Sequence, residues 1–389
     1  MTKPHSNYSA WAEIDLKAVR HNYRVLKQLA IVQLASSGKA VSGKKQRQEL
    51  LAVVKADAYG HGMLQVASAV DKLGVKFLGV SDVPEGILLR KHGIKRPILL
   101  FETALPPQAK EIVDYELTPT LCTLTMASSI NTYAKAVNKK VNVQVKIDTG
   151  MGRLGVWHQG AENFIEQCHK FANLSIKGIY THFPLADTNR RFTQQQMKQL
   201  QELIAKLKKE GHSLDYVHAS NSMGLAGYKT EMFNLVRPGL MLYGLYPSAK
   251  LKSKVVLKPA MRIKAKVLFV KKISCGMGIS YGHTFIAEKD MTVATLPIGY
   301  SNGYHRCLSN KASVLINGQR CPVVGRVTMD QIMVDVSHVK SVRIGTEAVV
   351  LGTQKKGAVS ADELARHAET INYEIVCSLG NQLPRIYKP

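Results

Sequence analysis

"LLAVVKADAYGHG", residues 50–62, sets five apolar residues directly against Lys55 and a polar turn that carries two glycines. A short, continuous run of leucine and valine suits a strand covered on both faces, as in a parallel sheet. Lys55 then stands where that strand stops. Ligands of α/β folds gather at the carboxyl ends of parallel strands, so an ammonium group there is placed for chemistry. A lysine held in a partly desolvated pocket can form a Schiff base with an aldehyde.

The same grammar repeats outward from this stretch. Strands are expected at 50–55, 77–80, 97–100, 117–122, 142–147, 175–182, 214–219 and 234–237, separated by amphipathic segments such as "MLQVASAVDKLG" and "FTQQQMKQLQELIAKLKKEG". Eight strands, each trailed by a helix, predict an α/β fold with a (β/α)8 TIM barrel over residues 16–250. The polar, basic stretch 36–48 reads as a surface loop. Beyond 250 the pattern changes to short alternating runs, with Asn317-Gly318 as a hairpin signal between two of them. A mainly β domain is therefore expected over 251–389, with one helix at "SADELARHAET" and an added strand from residues 8–15.

Composition narrows the class. A chain of 389 residues with 45% hydrophobic content exceeds the usual size of one core and is globular. No apolar run reaches the ~20 residues of a membrane span, and "MTKPHSNYSAWAEIDL" has no signal-peptide core, so a cytoplasmic protein without a membrane partner is expected. The six cysteines show no CxxC spacing, which argues against a zinc site or a disulfide framework. The net charge of +25 raises the question of nucleic acid. Its basic clusters are dispersed and lack interleaved aromatics, so no nucleic-acid partner is expected, only salt-sensitive adhesion to polyanions.

The barrel reading has a consequence for the site, because functional residues should follow several different strands on one face. Lys55 and Tyr59 follow the first; Lys146 and Arg153, in "VKIDTGMGRLG", accompany the fifth; His182 follows the sixth. Asn221 and Ser222 in "HASNSMG" follow the seventh, and Arg237 and Gly239 in "VRPGLMLYG" the eighth. A phosphate site after strands seven and eight is a recurring barrel feature. Pyridoxal 5'-phosphate would supply both that phosphate and the aldehyde for Lys55.

"AVVKADAYGHG", "KIDTGMGRLG", "THF", "NS", "VRPGLMLYG", "SYGHTF", "GRVTMDQ" and "INYE" occur in this order along nearly the whole chain, and together they resemble the alanine racemase family. The resemblance implies a pyridoxal-phosphate enzyme that interconverts L- and D-alanine by two-base proton transfer on the cofactor imine, supplying D-alanine for peptidoglycan. Lys55 and Tyr281 match the family's two bases, with Tyr281 reaching the partner's site in a head-to-tail homodimer. Arg237 matches the arginine that meets the pyridine nitrogen. Tyr59, Asn221, Ser222, Gly239, Leu240 and Tyr373 match the cofactor's holders, and His182 packs against its ring. Arg153 and the backbone of Met329 correspond to binders of the substrate carboxylate, while Tyr300, Arg306 and Asp330 line or support the approach. Lys146 corresponds to a lysine often carbamylated in the family; an unmodified lysine beside a carboxylate is the alternative. Thr328 stands where many members have cysteine, which bears on substrate preference. A racemase of serine or a basic amino acid, a noncatalytic pyridoxal-phosphate carrier and a related barrel decarboxylase are the other readings. The carrier resembles the barrel alone, and the decarboxylase would use a catalytic cysteine in place of Tyr281.

Overall fold

The computed structural model describes residues 7–35, 48–228 and 233–389, so of the expected loop at 36–48 only Gln48 lies within them. The chain divides into two compact units, one of residues 19–56 and 66–258, the other of residues 1–18, 57–65 and 259–389. The expected boundary at 250/251 falls inside the first unit, and residues 57–65 belong to the second.

Strand β1 is Ala10–Asp15. The first unit is built on β2 (Glu49–Val53), β3 (Phe77–Val80), β4 (Ile98–Leu100), β5 (Thr120–Leu121), β6 (Val141–Asp148), β7 (Val156–Trp157), β8 (Leu174–Tyr180), β9 (Tyr216–His218) and β10 (Leu235–Val236). All pairings among them are parallel: β10 with β2, β2 with β3, β3 with β4, β5 with β6, β6 with β8, and β8 with β9. Two backbone links close the ring. Leu100 N–H donates to Thr118 O at 3.0 Å between β4 and β5, and Asn234 N–H donates to Val217 O at 3.1 Å between β9 and β10. The eight expected strands are therefore the eight staves of a barrel. Strand β7 is additional; it pairs with the end of β6 at Ile147↔Val156, after the chain turns through Gly150, Gly152 and Gly155 at φ of 125°, 68° and 123°.

Side-chain caps start the outer helices where propensity alone would leave them ragged. Asp82 accepts from Glu85 N, Thr123 from Met126 N and Asn189 from Phe192 N. The strands bury valine, leucine and isoleucine on the helix side, as parallel strands must.

In the second unit β1 lies inside a sheet, antiparallel to β11 (Met261–Lys266) with Ala10↔Ala265 and parallel to Arg385–Lys388 with Ala12↔Arg385. The Asn317-Gly318 hairpin forms as its sequence predicts, with both residues at positive φ between the strands Ser313–Ile316 and Gln319–Pro322. One expectation is corrected: among the described residues this part of the chain has two α-helices, Ala361–His367 and Asn372–Gln382. The second escapes a sequence reading because its cap position is Ile371, which provides no side-chain bond. It also carries Gly380, where a Cβ would meet the Gly60 carbonyl at 2.3 Å. Among the described residues no helix is long and apolar enough to cross a membrane, and all six cysteines are free thiols.

Candidate active site

Lys55 opens a helical turn, Lys55–Tyr59, immediately after β2, and that turn is wound left-handed. Ala56, Asp57, Ala58 and Tyr59 have φ of 51°, 50°, 56° and 55°. Each such L-residue costs about 1–2 kcal/mol, so the conformation needs outside support. Glu85 supplies part of it, accepting from Ala56 N–H at 2.7 Å and from Ser81 N–H at 2.7 Å, which ties together the ends of two barrel strands. Asp57 supplies more: it accepts from Met63 N–H at 2.6 Å and pairs with Arg385 at 2.5 Å. His61 Nδ1 lies 2.9 Å from Tyr59 O, and burial pushes this imidazole down to about 4.

The barrel interior near Lys55 is polar where barrels usually hold aliphatic layers. Thr120, Gln144, Lys146, Tyr180, His218 and Arg237 are all buried there. The Tyr180 ring stacks on His218 with centroids 4.7 Å apart and planes at 7°. Arg237 and Lys146 approach the same ring at 5.2 and 5.5 Å from its centroid. The Arg237 guanidinium donates to His218 Nδ1 at 2.6 Å, Thr181 O at 2.8 Å and Ala219 O at 3.0 Å. Burial lowers Arg237 to about 10. Burial, reinforced by Arg153 and Arg237, lowers Lys146 to about 8. His182 falls to about 3, again by burial and then by Arg237, Arg153, Lys146 and Lys55. His182 is thus a neutral imidazole among four cations. None of the four makes an ion pair with a carboxylate among the described residues, so Lys146 lacks the carboxylate partner that was the alternative to its modification.

Arg153 is presented by a loop organised around Asp148. This carboxylate accepts from Gly150 and Met151 N–H at 2.8 Å each and from Gly152 N–H at 2.9 Å. At Gly155 a Cβ would strike Asp148 N at 2.9 Å, which explains a glycine there. After strands seven and eight, the buried Ser222 hydroxyl accepts from Gly239 N–H at 3.1 Å and Met241 N–H at 3.4 Å, just ahead of the short helix Leu240–Tyr243. Asn221 is occupied structurally: its oxygen caps Ser222–Gly227 through Gly224 N–H at 2.9 Å, and its amide donates to Phe183 O at 3.3 Å.

The β unit carries the remaining candidates. Tyr59 and Tyr373 pair with ring centroids 5.8 Å apart, and burial pushes the Tyr59 phenol up. Tyr281 follows Ser280, whose φ of 65° and ψ of −173° belong to a region used essentially by glycine. The Ser280 hydroxyl donates to Arg326 O at 2.7 Å, and Tyr281 itself is 71% exposed. Met329 lies in a turn closed by Thr328, whose hydroxyl donates to Gln331 O at 2.9 Å and accepts from Gln331 N–H at 3.2 Å. Ser301 Oγ donates to Asp330 at 2.8 Å, and Tyr300 N–H donates to Thr328 O at 3.1 Å. Tyr300, Asp330 and Met329 are therefore gathered, whereas Arg306 is exposed in a separate short turn, Arg306–Leu308.

Residues 14–247 match the alanine racemase N-terminal domain and residues 260–387 the C-terminal domain. The chain belongs to the alanine racemase family. The alanine racemase of Halothermothrix orenii is 39% identical over 379 residues, covering 97% of this chain and 96% of the relative. The solved alanine racemase of Clostridium difficile superposes with a TM-score of 0.89 at 34% identity, covering 98% of this chain and 96% of that one. The Bartonella henselae alanine racemase, solved with covalently bound pyridoxal phosphate, superposes with a TM-score of 0.83 at 28% identity, covering 98% and 100%.

The alanine racemase barrel here has a donor set suited to a phosphorylated aldehyde. It offers a strand-end amine, three further cations without carboxylate partners among the described residues, and a buried serine bonded to backbone N–H groups after strand eight. Anions are what this set lacks, and a phosphate and a substrate carboxylate bring them. Sequence reasoning overlooked Gln144, Asp148, Tyr180 and His218. Gln144 stands two residues from Lys146 on β6, so strand alternation alone put both on one face. His218 sits in the quoted "HASNSMG" but reads there as a strand residue.

Proposed function

We propose that this chain is a pyridoxal-phosphate-dependent alanine racemase, working in the cytoplasm as a homodimer and supplying D-alanine for peptidoglycan. The observation that carries the reading is Lys55, fixed at a strand end by a left-handed turn, beside a neutral histidine and three cations that no carboxylate neutralises among the described residues. The covalently bound cofactor of the Bartonella henselae racemase supports the choice of group.

When bound, pyridoxal phosphate supplies an aldehyde that condenses with amines and a ring that draws electrons from the substrate Cα. Lys55 holds the cofactor and, once displaced by substrate, takes or returns the Cα proton on one face. Tyr281 of the partner subunit serves the opposite face. Its exposure, with Met277 58%, Ile286 49% and Met329 54% exposed on the same unit, supports completion of each site by a second copy. Arg237 can only donate, so it hydrogen-bonds the ring nitrogen without surrendering its proton. A ring met in this way would draw electrons less strongly, which would favour return of the proton to Cα. Ser222, Gly239, Leu240, Tyr59 and Tyr373 bind the phosphate, and Arg153 with the Met329 N–H binds the substrate carboxylate. Lys146, lowered to about 8, has a neutral amine fraction able to add carbon dioxide with loss of a proton, which would turn it into an anion orienting Arg153.

Incubation with L-alanine, L-serine, L-lysine and L-arginine in parallel, followed by chiral chromatography, tests the reading. Fast formation of D-alanine with little from the others is expected. Turnover confined to serine or a basic substrate would reassign the specificity, and bound cofactor without any racemisation would overturn the enzyme reading.

A further inference from the structure

Arg237, His218 and Gln144 form a buried line across the barrel, 4%, 0% and 0% exposed. Arg237 Nη1 lies 2.6 Å from His218 Nδ1, and His218 Nε2 lies 2.5 Å from Gln144 Oε1. Hydrogen-bond polarity along this line has one solution. A guanidinium has donors and no acceptor, so His218 Nδ1 must accept. A neutral imidazole then carries its single proton on Nε2, and Nε2–H must donate. Gln144 therefore has to present its carbonyl oxygen, since a flipped amide would set N–H against N–H. The cost is visible: Gln144 Nε2 has no hydrogen-bond partner. Buried amide groups are rarely left unpaired, so this side chain is held for its oxygen.

We infer that Gln144 is a positioning residue, which locks His218 as the Nε2–H tautomer and thereby aims the Arg237 guanidinium. Tyr180 fixes the plane of the imidazole by stacking, and Gln144 fixes its proton. The amide also has the right charge. A carboxylate at 144 would draw a second proton onto His218 and set an imidazolium against Arg237, in a region already holding Lys146. This inference rests on the racemase reading, because the aim of Arg237 matters only if Arg237 meets the cofactor ring.

The test is 15N NMR of imidazole-labelled full-length protein, before and after loading with pyridoxal phosphate, with the His218 signals assigned through His218→Gln. The expected result is a protonated Nε2 and a bare Nδ1, unchanged across about pH 5 to 8, where an ordinary histidine titrates. In Gln144→Met, which keeps length and loses the acceptor, the tautomer signals should mix and pyridoxal phosphate should bind up to about tenfold more weakly, the upper worth of one neutral hydrogen bond. A larger share of turnovers should also end in pyruvate, with the amino group left on the cofactor as pyridoxamine phosphate, as Arg237 loses its aim. In Gln144→Glu, His218 should acquire its second proton. A wild-type His218 protonated on Nδ1 or on both nitrogens would overturn the inference. So would a folded Gln144→Met protein with unchanged cofactor affinity and product ratio. Should that variant fail to fold, the wild-type tautomer and the Gln144→Glu spectrum carry the same decision. The spectrum of unloaded protein can fail while alanine is still racemised, and absence of both cofactor binding and racemisation would sink the racemase reading whatever His218 shows.

Discussion

Lys55 and Tyr281 both stand next to backbone at positive φ, but the two strained segments are held in different ways. The turn after Lys55 grows out of a buried strand; Glu85 accepts from its Ala56 N–H, and its own Asp57 accepts from Met63 N–H and pairs with Arg385. Ser280 is held by its hydroxyl bond to Arg326 O and by a carbonyl that accepts from His283 N–H at 3.3 Å, and Tyr281 beyond it is mostly exposed. Strain at functional sites persists only where surrounding contacts over-determine it. Lys55 finds those contacts within one chain. Tyr281 finds few, which fits a side chain whose remaining neighbours belong to another copy.

The largest way to break this comparison is to remove the better-held group. Lys55→Ala should lower D-alanine formation at least about 10⁴-fold, because anchor and base are lost together. Tyr281→Phe should cost less, about 10²–10³-fold, since only one proton transfer is removed. The asymmetry becomes decisive when the two inactive proteins are mixed and allowed to exchange subunits. Mixed dimers would contain one site with both groups and one with neither, so about a quarter of wild-type activity should return. No recovery on verified exchange would place both groups of each site in a single chain.

The cations around Lys55 make a smaller, pH-dependent prediction. Lys146 is lowered from 10.5 to about 8, chiefly by burial. Between these values the unfolded chain holds a proton that the folded chain has released, so stability rises with pH across that window, while below it Lys146 adds no slope and the full cost of burying its charge remains. Lys146→Met removes the burden of a charged lysine and should raise stability at pH 7 by up to about 3 kcal/mol while flattening the rise above pH 8. Urea midpoints measured against pH report both effects. Activity should fall in the same variant, and added bicarbonate should increase activity only in the wild type. A bicarbonate response retained without Lys146 would assign the modification elsewhere.

Sequence carried the parts governed by periodicity. Eight apolar runs at regular spacing gave the staves of the barrel, and Asn317-Gly318 gave the hairpin because its conformation suits those two residues. The left-handed turn was out of reach. Ala56, Asp57, Ala58 and Tyr59 individually prefer right-handed backbone, and what overrides them is distant in sequence: Glu85, Arg385 and the close approach of Gly60 to Val376 O, 2.5 Å from an added Cβ. The polar line Gln144–His218–Arg237 was hidden for another reason. Gln144 and His218 sit in β6 and β9 and Arg237 just past β10, and only closure of the barrel joins two polar residues without a motif role to that arginine in one hydrogen-bonded chain.

The smallest effects separate strain kept for stability from strain kept for position. Ala56→Gly relieves about 1–2 kcal/mol of left-handed penalty and loses ~0.5–1 kcal/mol to the freer unfolded chain, so a modest net gain in stability is expected. Its activity should stay within about twofold, because the donor to Glu85 is a backbone N–H that glycine retains and β2 still leads into Lys55. Ser280→Gly relieves ~1–3 kcal/mol of strain but also forfeits the bond to Arg326, worth ~1 kcal/mol, so stability should barely change. Activity should nevertheless fall about tenfold, since little else fixes the approach of Tyr281 and misplacement by an ångström is costly in proton transfer. Matched thermal melts and racemisation rates for the two glycine variants measure this directly. If both lost activity equally, the left-handed turn would be aiming Lys55 rather than merely being tolerated beside it, and the contrast between the two segments would reduce to exposure alone.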